Sequence, residues 1–263
     1  MTAPFNSKKE MTSDTQSISQ QQSCSAHGSN EACFSDNDSS RRRFLQMTMG
    51  GAVAGLVTAA GVKLATPHPV LAQSKLSPNA ALQELMDGNR RFTSVRLTSC
   101  EQDLAILKQN TIEKQEPFAA VLSCADSRVP VEFLFDQSIG HIFVTRLAGN
   151  VATSEIIASL EYGAAVLGTK VILVVGHGGC GAVKATIQAK EVPGQISALY
   201  PHIQPAVDQA GTDLDAAIKA NAKIQAALLR KASTVISGLL KEGKLKVVAA
   251  YYDIASGAVT LLD

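Results

Sequence analysis

The sequence predicts an α/β domain built on a central, mostly parallel β-sheet of about four strands, with an antiparallel edge strand at the C-terminus and helices on its flanks. Three observations carry this prediction. Short, continuously apolar runs at 118–123, 142–145 and 171–175 read as strands covered on both faces, the habit of parallel sheets. Segments with helical apolar spacing separate them, so strands and helices alternate. The chain closes on apolar runs at 246–251 and 258–262, joined by Ala255-Ser256-Gly257, which predicts a hairpin.

The elements follow in order. Ser77-Pro78 opens a helix over 78–92, with Leu82, Leu85 and Met86 on one face. A second short helix is predicted over 101–109. Residues 154–167 place Ile157, Leu160, Ala164 and Leu167 on one stripe, with Thr153 or Ser154 as cap. A glycine-rich turn at 176–181 leads to a short helix at 182–190. Helical patterns at 196–210 and 213–240 precede the last two strands, and the second is long enough for more than one helix.

The N-terminal part reads differently. Residues 1–40 are rich in Ser, Gln, Asn and Thr and are predicted to be disordered. Residues 41–72 have a basic start, a short apolar run rich in Gly, Ala and Thr, and a small-residue end. The Ser40-Arg41-Arg42-Arg43-Phe44-Leu45 run resembles a twin-arginine export signal, which predicts cleavage after Ala72 and a single catalytic domain over 73–263. The alternative is an uncleaved anchor, but the apolar run at 47–62 is shorter than the ~20 residues a bilayer demands. The expectation is therefore a periplasmic or other extracytoplasmic protein with no stable membrane span after cleavage. Twin-arginine export moves folded chains, so thiolate ligands can be loaded with metal before an oxidising compartment is reached.

Residues 1–73 hold six of the 24 Lys and Arg and five of the 23 Asp and Glu, leaving the remainder balanced. With no basic excess, no Trp and few aromatics, nothing in the composition points to a nucleic-acid surface. Of five cysteines, Cys24 and Cys33 lie in the leader, and Cys100, Cys124 and Cys180 form no disulfide framework. Cys100 is expected to be a buried, inert thiol.

Two short pieces carry the chemistry. Cys124-Ala125-Asp126-Ser127-Arg128 follows the first strand, and His177-Gly178-Gly179-Cys180 follows the third. Ligand sites in parallel sheets form beyond the carboxyl ends of strands, so both pieces fall on the expected edge. Two thiols and an imidazole suit Zn²⁺, and three protein ligands with an exchangeable fourth position describe a catalytic site. Cys180 opens a helix, whose N-terminal charge is expected to favour its thiolate. Asp126 and Arg128 read as a poorly solvated ion pair. A redox dithiol would place its cysteines in a Cys-x-x-Cys unit, whereas here they are 56 residues apart.

These pieces, extended to Val129-Pro130 and to Gly181-Ala182-Val183, resemble the signature of the β-class carbonic anhydrases. Phe135-Asp136-Gln137, the run from Phe143 to Asn150, Ser159-Leu160-Glu161-Tyr162, Pro205-Ala206-Val207 and the segment 246–257 resemble the same family, so the likeness covers 77–263. The resemblance implies one zinc per chain on Cys124, His177 and Cys180, with Asp126 either a fourth ligand in a closed state or paired with Arg128 in an open one. It implies a homodimer or larger homo-oligomer, and a CO₂ pocket at the dimer interface to which Gln137, Gly178 and Gly179 are assigned. Some members lock the closed state with a tryptophan at a non-catalytic bicarbonate site; this chain has none.

The implied activity is reversible hydration of CO₂ to bicarbonate and a proton by zinc-bound hydroxide, gated by Asp126 and Arg128. Two thiolates weaken the Lewis acidity of zinc, and the gating pair is expected to compensate by orienting the attacking oxygen. His141 and His202 are proton-transfer candidates by residue type alone. Two other readings share the ligands: a hydrolase of carbonyl sulfide or carbon disulfide, and a non-catalytic zinc-bearing structural protein.

Overall fold

Among the described residues, five strands form one sheet in the order β2-β1-β3-β4-β5. They are β1 (Ala119–Ser123), β2 (Ile142–Arg146), β3 (Val171–His177), β4 (Lys246–Tyr252) and β5 (Val259–Leu261). The first four are parallel and β5 runs antiparallel to β4. The computed structural model describes residues 74–99, 108 and 111–262. The leader, Cys100 and the helix expected over 101–109, save Lys108, lie outside the described residues.

Alternation along the strands sorts the core into two layers. Ala119, Val121, Val171, Leu173, Val175, Val248 and Ala250 face one side. There they meet helices α1 (Pro78–Thr93) and α2 (Val131–Leu134) through Ala81, Leu85, Val131 and Leu134. Ala120, Leu122, Ile172, Val174, Val247 and Ala249 face the other. They are covered by α3 (Ser154–Glu161), α6 (Leu214–Ala232) and α7 (Thr234–Lys241). Both β1 and β3 are buried along their whole length, which explains their unbroken apolar runs.

Local chemistry sets the helix ends. Ser77 caps α1 by accepting the Ala80 N–H, and Pro78 takes the first turn, where no N–H is needed. Thr153 sits at the N-cap of α3 without a capping bond from its side chain. The stripe beyond α3 continues as one π-helical turn, Tyr162–Val166. The pattern at 196–210 divides into a 3₁₀ turn, Ile196–Leu199, and α5 (Tyr200–Ala210). The pattern at 213–240 divides at Ser233, which is extended and caps α7 by accepting the Ile236 N–H at 2.9 Å. Among the described residues no helix is long and apolar enough to cross a membrane.

β1 has β2 on one side and β3 on the other. The chain therefore reverses its direction of travel across the sheet at the β1/β3 boundary, and open parallel sheets bind ligands beyond the carboxyl ends at such a point.

Candidate metal centre

Cys124 lies one residue past β1, and His177 is the last residue of β3. Register pairs Ser123 with Val175, so neighbouring strands deliver both residues to the same end of the sheet. Cys180 occupies the N-cap of α4 (Gly181–Ile187). Between them Gly179 adopts φ 66°, and the Gly178 N–H donates to the Tyr252 carbonyl at 2.9 Å, which ties the turn to β4. One ligand atom from each of Cys124, His177 and Cys180 lies within 4.8 Å of the other two. All three residues are buried and both thiols are free.

The donor set fits a cation. His177 Nδ1 donates to the Gly178 carbonyl at 3.1 Å, which leaves the lone pair on Nε2. That Nε2 is buried and, among the described residues, has no hydrogen-bond partner. A fully buried imidazole nitrogen with nothing to bond, facing two sulfurs, is chemically incomplete without an electrophile. Two thiolates and one imidazole match Zn²⁺.

The two sulfurs share their charge unequally. The Cys180 thiol donates to Cys124 and, with the Gly149 N–H at 3.3 Å from Cys124 Sγ, holds the Cys124 thiol well below its usual range. Cys180 is pushed up by the Cys124 thiolate and by burial. The expectation that the start of α4 favours the Cys180 thiolate is opposed here by the neighbouring sulfur. The N–H groups at the start of α4 do favour charge on Cys180, but two sulfurs in contact cannot both ionise cheaply.

Asp126 is pinned by Arg128. Its Oδ1 accepts the Arg128 N–H at 2.9 Å and Nε–H at 3.0 Å, and its Oδ2 accepts from Nη2 at 2.8 Å. The Arg128 side chain holds the Asp126 carboxyl well below the usual carboxylate range. Oδ2 also lies 3.8 Å from the unpartnered Nε2 of His177. The pair is less sheltered than its flanking residues imply, because the Arg128 side chain is 53% exposed in the single chain. Arg146, at the end of β2, donates to the carbonyls of Cys124 and Asp126 and so fixes the loop between them.

Gln137 stands apart from this cluster. Its Nε2 donates to Glu84 Oε1 and to the Phe135 carbonyl, and its Oε1 lies 3.4 Å from His141 Nδ1. His202 is exposed on α5 and takes part through its carbonyl, which accepts from Gln225. Gly178 and Gly179 line the ligand turn itself. A side chain at Gly178 would meet the Tyr251 hydroxyl, whereas the space beside Gly179 is open. Sequence reasoning missed Arg146 and Gly149 beside the cluster, and the buried Asn221 and Gln225, which bond the Gly149 carbonyl and the Ala152 N–H. The last two left a readable trace, as polar residues on the apolar stripe of a helix.

A family model described as carbonic anhydrase matches residues 119–259. The chain is 36% identical over 193 residues to the carbonic anhydrase of Mycolicibacterium smegmatis, covering 70% of this chain and 93% of that one. It is 33% identical over 195 residues to carbonic anhydrase 2 of Mycobacterium tuberculosis, covering 71% and 94%. Among solved structures, the Coccomyxa β-carbonic anhydrase in complex with acetazolamide superposes with a TM-score of 0.56 at 26% identity, over 69% of this chain and 86% of that one. Sheet topology, ligand cluster and these likenesses agree, and the chain belongs to the β-class carbonic anhydrase family.

Proposed function

We propose that this carbonic anhydrase works through one zinc ion per chain held by Cys124, His177 and Cys180, with Asp126 kept in its working position by Arg128. The carrying observation is the convergence of two sulfurs and an unpartnered imidazole nitrogen beside a carboxylate that three hydrogen bonds restrain. Zinc held there supplies the Lewis acidity that brings ionisation of a water toward neutral pH. The protein supplies orientation. Asp126 stays ionised, spends Oδ1 on Arg128, and keeps a lone pair on Oδ2 to accept a hydrogen bond from the attacking water. That bond aims the water oxygen at the carbon of CO₂. Arg128, by holding both carboxylate oxygens, keeps Asp126 from becoming a metal ligand. Water and CO₂ yield bicarbonate and one proton, which passes to buffer.

Stopped-flow CO₂ hydration by the zinc-loaded chain tests the reading. The expected result is a rate above the buffer background that disappears, together with zinc, in Cys124→Ser. Stoichiometric zinc with no hydration would overturn it.

The family resemblance and exposed apolar side chains at Phe133, Ile139, Tyr162 and Val166 support a homodimer or larger homo-oligomer as the working form. The arginine-led N-terminal run supports twin-arginine export to the periplasm or another extracytoplasmic space. Detection of a mature N-terminus at or near Gln73 in the exported fraction tests this, and a full-length chain in the cytosol overturns it.

A further inference from the structure

Helix α6 buries two carboxamides, Asn221 and Gln225, one turn apart on a face otherwise made of Ala217, Ile218, Ala222, Ala226 and Leu229. Apolar residues there would pack without any need for partners, so the amides call for an explanation beyond packing. Their bonds supply it. Asn221 Nδ2 donates to the Gly149 carbonyl at 2.7 Å. Gln225 Oε1 accepts the Ala152 N–H at 3.0 Å. Gln225 Nε2 donates to Asn221 Oδ1 at 3.2 Å and to the His202 carbonyl at 3.1 Å. Both amides therefore grip the segment 149–152 and brace each other.

That segment is held in an unusual shape. Gly149 has φ 74°, and a Cβ there would sit 2.8 Å from Ile203 Cδ1. Asn150 follows at φ 46°, buried, with its Nδ2 unpartnered. Such strain persists where surrounding contacts over-determine the backbone. Its result is that the Gly149 N–H points at Cys124 Sγ, 3.3 Å away, while the carbonyl of the same residue is the one Asn221 holds.

We propose that Asn221 and Gln225 are positioning residues for the Cys124 sulfur: by clamping 149–152 they aim the Gly149 N–H at it, and that hydrogen bond sets how strongly the sulfur binds and donates charge to the metal. The proposal rests on the reading of Cys124 as a metal ligand. A hydrogen bond to a thiolate lowers the energy of its donor electrons, and partners outside the ligand shell hold ligand orientation at roughly 10–100-fold in metal affinity.

The test compares Asn221→Leu, Gln225→Met and Leu229→Ala with the parent protein. Leu229 is buried on the same helix, in the core layer that excludes Cys124. Each protein is loaded with Co²⁺ for its sulfur-to-cobalt absorption band and titrated with Zn²⁺ against a chelator. Thermal midpoints are recorded alongside. Asn221→Leu is expected to move the band to longer wavelength and weaken Zn²⁺ binding about tenfold. Gln225→Met, which leaves the direct Asn221 bond in place and supplies the result should Asn221→Leu fail to fold, is expected to shift both in the same direction by less. Leu229→Ala is expected to lower the thermal midpoint and leave band and affinity unchanged. Overturning results are an unmoved band and affinity in both amide variants, or shifts that Leu229→Ala reproduces. If the parent shows no sulfur-to-cobalt band at all, the ligand assignment falls first and takes the proposal with it.

Discussion

Among the described residues, Asp126 sits 3.8 Å from an imidazole nitrogen that lacks a partner, and only Arg128 holds both its carboxylate oxygens. Arg128→Ala frees that carboxylate to turn toward the cation. The expected outcome is a protein that keeps its zinc by elemental analysis yet loses roughly 10–100-fold in CO₂ hydration by stopped flow. An Arg128→Ala enzyme with full activity removes the gating role. His177→Ala, by contrast, is expected to lose the metal itself, because the two sulfurs that remain make an incomplete set. The three residues of the cluster, the proposed zinc ligands, were legible in the sequence through side-chain type and short spacing. Arg146 was not legible as part of the site. Its contribution goes to the Cys124 and Asp126 carbonyls, and nothing in a strand-end arginine distinguishes that from solvation.

Among the elements, α1 depends on one close approach and one charged anchor. Gly88 faces α2 so closely that a methyl there would overlap the Phe135 carbonyl, which is backbone and cannot swing aside. Gly88→Ala is expected to destabilise the protein by about 3 kcal/mol, the upper end of overpacking costs, read as a lower urea midpoint. The anchor is Asp136, whose side chain is fully buried. Burial pushes its carboxyl upward, but Arg91 and the donors on Ser99 and Thr98 outweigh this and hold it well below the usual range. A carboxylate with a depressed folded-state pKa stabilises the fold above its unfolded pKa of about 3.9, and this contribution fades as pH falls toward the folded value. Asp136→Asn is therefore expected to cost about 1–3 kcal/mol at pH 7, with the gap from the parent narrowing below pH 4 in urea titrations. A gap independent of pH would remove the charged anchor. The existence of α1 was legible from Ser77-Pro78 and the spacing of Leu82, Leu85 and Met86. Its docking was not, because Gly88 meets Phe135, and Arg91 meets Asp136 from 45 residues away, only in the fold.

At the scale of the whole molecule, the proposed homo-oligomer is supported by apolar side chains exposed at Phe133, Ile139, Tyr162 and Val166. Light scattering after size exclusion is expected to return at least twice the chain mass, and an active monomer would overturn the oligomer. The sequence by itself determined the α/β class and the antiparallel last strand, and it nominated the Cys124, His177 and Cys180 set, since each is written in local pattern: unbroken apolar runs, a short turn, residue types at fixed spacing. Tertiary structure alone decided the strand order, and with it the β1/β3 boundary at which Cys124 meets His177. It also decided which groups face the Cys124 sulfur: the Gly149 N–H lies 3.3 Å from it, and Asn221 and Gln225 bond the same loop. The physical reason is one of range. Propensity and spacing act over a few residues, whereas electrostatics and hydrogen bonding at a buried site depend on groups brought together from 25 and 72 positions away.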